Sequence, residues 1–161
     1  MSLSLLREFC AENFTDVPAA IEAGADRIEL CDNLAVGGTT PSAGVIGAAT
    51  VYAHERGARV MTMIRPRGGD FVYGPAELQM MQSDIETACR LGTDGIVFGC
   101  LERREHGFWL DLSAIEALVA RVRWMQDQRD WSGVPREFDR EDQLIDITFH
   151  MAFDELAPDD Q

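Results

Sequence analysis

The chain has 161 residues, 28 acidic against 14 basic side chains, and a formal net charge of −14. Every basic residue is arginine, so the phosphate footprint needed for nucleic acids is missing and no lysine can form a Schiff base. An ordinary apolar fraction of 46% argues against a disordered or disulfide-dense chain, and no apolar run reaches the ~18 residues of a membrane span. Nucleic acid and membrane are therefore not expected as partners. The N-terminus lacks the basic-then-apolar pattern of a signal peptide, and four dispersed cysteines suit free thiols or metal ligands in a reducing cytoplasm.

Strands are predicted near 4–10, 27–31, 59–65, 95–100 and 145–153, separated by four helices. Asp16 and Pro18 open the first helix, and Ser42 caps the second. Leu78, Met81, Ile85 and Cys89 line the third, and a capping box at Ser113–Glu116 opens the fourth. A weak repeat organises the chain. Gly24-Ala25-Asp26, Gly57-Ala58-Arg59 and Gly92-Thr93-Asp94 recur roughly every 34 residues, the length of one strand plus one crossover helix. Each glycine is placed to end a helix in the left-handed conformation before the next strand. The alternation of β and α predicts a parallel sheet with helices packed on it. Residues 126–143, half of them charged, read as a polar surface insertion.

Two matching triplets, Glu8-Phe9-Cys10 and Glu29-Leu30-Cys31, sit on the first two strands. Alternation puts each Glu on the same face as its Cys, and parallel neighbours lie ~4.8 Å apart, so thiols and carboxylates can gather at one mouth. Paired thiolates are a soft site for Cu(I) or another thiophilic metal; equally, cysteine is often a small buried apolar residue. No compact His/Asp spacing suggests zinc or magnesium catalysis. Arg65, on the parity of Met61 and Met63, can reach the same face and pair with a carboxylate or an anionic ligand. Beyond it, Arg67, Gly68 and Gly69 form a turn where backbone can approach such an anion. The Gly37-to-Ser42 loop adds free amides at a helix start. On the fifth strand, His150 and Asp154 are candidates for an acid–base or ligand pair.

With RIELC, GGTTPS, MIRPRGGDF, DGIVFGCL and ITFHMAFDEL in this order, the chain resembles the CutC copper homeostasis family from Leu5 to Leu156, outside 126–143. The resemblance implies a TIM-type (β/α)8 barrel, a cytoplasmic location and a role in copper binding or trafficking. It puts Cys10 and Cys31 at the family's cysteine positions, as Cu(I) ligands. Glu8, Glu29, Arg65, Arg67, His150 and Asp154 match polar positions at the barrel mouth. Met151 stands where the family usually has arginine. A second reading is a barrel enzyme acting on a small anionic metabolite, with Glu8, Glu29 or His150 moving protons and Arg65 holding the anion; a third is an inactive partial barrel. A complete barrel takes ~200–250 residues, so a single, C-terminally truncated domain is expected, with five parallel strands, four to five helices and open edges that invite self-association.

Overall fold

A computed structural model describes residues 5–128 and 144–157. Its core is a five-stranded parallel sheet in the order β1 (Glu8–Glu12), β2 (Arg27–Cys31), β3 (Arg59–Met63), β4 (Gly95–Phe98) and β7 (Asp146–Phe149). Helices α1 (Val17–Glu22), α2 (Ala43–His54), α3 (Pro75–Arg90) and α4 (Leu112–Gln128) provide the crossovers. Each strand pairs with the next through a helical connection, which is the wiring of successive units of a (β/α)8-type barrel.

Alternation along the strands sorts the sheet into two faces. Ile28, Leu30, Val60, Ile96 and Phe98 point toward the helices and pack with Ile46, Met81, Ile85, Leu118 and Val122 in the main apolar core. On the other face lie Glu8, Cys10, Arg27, Glu29 and Arg59, with a smaller buried cluster of Cys31, Met61, Met63 and Val97. The candidate thiols and carboxylates of β1 and β2 thus share the face away from the helices.

The repeat has a physical basis. Gly24, Gly57 and Gly92 adopt φ of +98°, +73° and +96°, ending three helices before β2, β3 and β4. The aspartate two residues on reaches across to the preceding strand: Asp26 Oδ2 accepts the N–H of Arg7 at 2.9 Å, and Asp94 Oδ2 that of Val60 at 2.7 Å. Asp94 also bonds His54 Nε2 at 2.9 Å, tying α2 to the start of β4.

Several local expectations change. The first strand begins at Glu8 instead of residue 4, and Leu5 and Leu6 are exposed. The last ends at Phe149, followed by a 3-10 turn over Met151–Glu155. Residues 101–110 form a hairpin of β5 (Leu101–Arg104) and β6 (Gly107–Leu110), pinned by stacking of Arg103 on Phe108 and Arg104 on Trp109. Helix α4 starts two residues earlier than the capping box implies, because Asp111 Oδ1 accepts the N–H of Ala114 at 2.9 Å. Ser42 does cap α2, accepting from Val45 N–H. Of the polar segment 126–143, residues 126–128 continue α4 and the rest lies outside the described residues.

Candidate metal and anion sites at the strand ends

The two triplets are not level. In the β1–β2 register Cys10 stands beside Glu29, Glu12 beside Cys31, and Glu8 beside Arg27. This two-residue stagger groups both thiols around one carboxylate. Cys10 Sγ and Cys31 Sγ are 3.9 Å apart, and each lies 3.8 Å from Glu29 Oε1. The three atoms form a nearly equilateral triangle. A point equidistant from them lies about 2.2 Å from each (edge divided by √3), within the ~2.0–2.3 Å span of metal bonds to carboxylate and thiolate. Among the described residues this is the one cluster of three potential metal ligands. None of the four cysteines forms a disulfide.

Burial sets the proton inventory. It pushes the Cys10 thiol up, and the nearby Glu29 carboxylate adds to the effect. Cys31, more deeply buried and facing both Cys10 and Glu29, is pushed up much further. Glu29 is raised by burial and then by Glu8. Without a cation the two thiols therefore hold their protons at neutral pH; a metal would have to displace them. Cys10 is exposed and Cys31 fully buried, so the triangle opens toward solvent on the β1 side. Glu8 is placed elsewhere than its matching triplet suggests, at the start of β1, where its carboxylate accepts a short hydrogen bond from Arg27 Nε.

Arg65 does not reach the glutamates. It is 2% exposed and spans the loops after β2 and β3, donating Nη1 to the carbonyls of Val36 (2.7 Å) and Gly38 (2.9 Å) and Nη2 to that of Gly69 (2.7 Å). Its backbone N–H donates to Thr40 Oγ1 at 2.9 Å, which also fixes the Gly37-to-Ser42 loop. Glycine is strongly favoured at position 38. Its φ is +87°, and a Cβ would lie 3.2 Å from Cys31 Sγ.

Arg67 is committed to its own loop. Nε bonds Glu77 Oε1 at 2.5 Å, while Nη1 and Nη2 reach the carbonyls of Asp70 (2.9 Å) and Val72 (2.8 Å). Gly68 packs against Val36, where a Cβ would approach within 2.9 Å, and Gly69 has φ +86°. This turn serves Arg65 and Arg67 before any ligand.

His150 is 7% exposed, and burial, then the Arg65 charge, lowers its pKa to about 4. Its Nδ1 accepts the N–H of Ala152 at 3.2 Å, capping the 3-10 turn. Asp154 lies exposed within that turn, off the strand that would have aligned it with His150, and no hydrogen bond joins the two. Tyr73 sits in an aperiodic loop, where no pattern of residues singles it out. It is buried beside Arg65, and burial raises its hydroxyl to about 12.

The CutC family profile matches residues 5–126. A CutC protein of Enterococcus faecalis is 50% identical over 98% of this chain and 64% of its own length. The human copper homeostasis protein cutC homolog is 38% identical over 92% of this chain and 45% of its own length. The crystal structure of a CutC protein from Streptococcus agalactiae superposes with a TM-score of 0.76 at 45% identity, covering 96% of this chain and 62% of that one. The chain thus spans less than two thirds of the length of these relatives. No helix among the described residues is long and apolar enough to cross a membrane. A profile match over most of the chain and this agreement in sequence and fold place the protein in the CutC family.

Proposed function

We propose that the chain binds Cu(I) through Cys10 and Cys31, with Glu29 as third ligand, and acts in copper homeostasis. The triangle of two thiols and a carboxyl, with edges of 3.8–3.9 Å, carries this reading. Paired thiolates favour Cu(I) over harder cations, and the exposed Cys10 gives a metal an approach to the buried Cys31. The name carried by the human relative, a copper homeostasis protein cutC homolog, points the same way. Free thiols fit a cytoplasmic location, which belongs to the same proposal, as does the treatment of the chain as one domain. So does self-association through the outer strands β1 and β7, to be read by sedimentation velocity, where a monomer at all concentrations would count against it.

The test is anaerobic titration with Cu(I) in competition with a chromophoric Cu(I) chelator. One equivalent should bind to the unmodified chain, with thiolate-to-copper absorption in the ultraviolet. Cys10→Ser and Cys31→Ser should each weaken binding at least tenfold, and Glu29→Gln by less. Full retention of binding in the double cysteine variant would overturn the proposal.

A further inference from the structure

We infer that Arg65, Tyr73 and His150 form a second binding site, separate from the thiols, for the oxygens of a small carboxylate or phosphate anion. Four buried side-chain polar atoms among the described residues have no hydrogen-bond partner. Three of them are Arg65 Nε, Tyr73 Oη and His150 Nε2; the fourth, Thr50 Oγ1, lies within α2. Their residues are 2%, 8% and 7% exposed, so solvent hardly reaches them. A buried polar group without a partner is unfavourable by ~1–3 kcal/mol, and three in one neighbourhood are rare in a folded chain unless something binds there.

The three atoms share one chemical role. Because Ala152 N–H donates to His150 Nδ1, that nitrogen is the acceptor and the ring proton resides on Nε2. Arg65 Nε and Tyr73 Oη each carry a proton as well. The neighbourhood therefore offers three donors, one on a permanent cation. A neutral ligand with mixed donors and acceptors matches it poorly; an oxyanion, with acceptors only, matches its chemistry.

Arg65 and His150 are held around one ring. The Arg65 guanidinium carbon lies 4.6 Å from the centre of Phe71, and the His150 ring centre lies 5.0 Å from it. The charge of Arg65 acts on both Tyr73 and His150, which places all three within one electrostatic neighbourhood. The three carbonyls of Val36, Gly38 and Gly69 fix the guanidinium without using Nε. Gly99 leaves room for the His150 ring, since a Cβ there would lie 2.7 Å from Nδ1. Arg65 and His150 both follow the C-terminal ends of parallel strands, β3 and β7, where barrel folds bind their ligands.

The experiment titrates the purified chain with sodium acetate and, separately, sodium phosphate, against sodium chloride at matched ionic strength. Binding is followed by thermal shift and by the amide and ring NMR signals of the site. One of the two anions should raise the melting temperature saturably, and its identity distinguishes carboxylate from phosphate recognition. Tyr73→Phe should weaken that response roughly tenfold, the effect of removing one hydrogen bond to a charged group. The same variant should melt within about a degree of the parent, because the hydroxyl it removes makes no hydrogen bond of normal length in the fold. Cys10→Ser should leave the anion response unchanged, which separates this site from the copper proposal. The inference is overturned if neither anion acts beyond chloride, if Tyr73→Phe responds like the parent, or if Tyr73→Phe alone is strongly destabilising.

Discussion

Arg65 offers the sharpest test of how this fold is held together. Arg65→Met keeps much of the side chain's volume but removes every donor, leaving the carbonyls of Val36, Gly38 and Gly69 without the partners they now have at 2.7–2.9 Å. Each stranded buried acceptor is worth ~1–3 kcal/mol. Against this, the variant no longer buries a guanidinium, whose desolvation opposes folding by several kcal/mol. Loop opening can also return some of the carbonyls to water. The net loss should be about 3 kcal/mol, equivalent to a fall of roughly 6–12 °C in melting temperature for a chain of this size. Differential scanning calorimetry reads that directly. Hydrogen exchange should show residues 33–39 losing protection first, because two of the three carbonyls belong to that loop. Arg65→Lys should recover only part of the loss, since an ammonium cannot reproduce the planar fork. A melting point for Arg65→Met within 2 °C of the parent would refute the reasoning.

The thiol site predicts a pH dependence. Burial and Glu29 hold both thiols in the protonated form, so Cu(I) uptake near neutral pH should release about two protons per metal, and affinity should climb between about pH 6 and 9. A weakly buffered indicator measures this; release below about one proton would mean the thiols are not the ligands. His150 gives the opposite limb. Its folded pKa of about 4 lies below the ordinary ~6.5, so the unfolded chain takes up a proton that the folded chain resists. Its contribution to stability is intact above about pH 6.5 and is lost as pH falls through about 4, by roughly 3 kcal/mol. Urea midpoints at pH 7 and pH 4.5 should converge less for the parent than for His150→Gln, and an identical pH response in the two would contradict this. Finally, Asp111→Ala should lose roughly 1 kcal/mol through its cap on Ala114, whereas Ser113→Ala should stay within about 0.5 kcal/mol. Equal losses would restore Ser113 as the cap.

Much of the architecture is legible in the residues themselves. The glycines at 24, 57 and 92 mark three helix ends, and the strand over 27–31 is found at those bounds. The first strand is harder to locate, because Leu5 and Leu6 look like strand interior yet remain exposed. Period-two patterning fixes which face a side chain takes but says nothing about its level against the neighbouring strand. That is why the matching triplets suggest Glu8 beside Glu29, while the register puts Cys10 there. The partners of Arg65 were hidden for a different reason. They are backbone carbonyls, which every residue has, and no side-chain pattern announces which ones converge. The hairpin at 101–110 did leave a trace in Gly107, whose φ of +135° closes its turn, but the flanking charges masked the alternation.

Gly38 gives the molecule an unusual economy of construction. Its α-carbon faces Cys31, where even a methyl group would crowd the sulfur, while its carbonyl holds Arg65. The thiol chamber and the arginine chamber are therefore divided by a partition a single peptide thick. Shifting that peptide by a few tenths of an ångström alters the ceiling of one room and the anchorage of the other together.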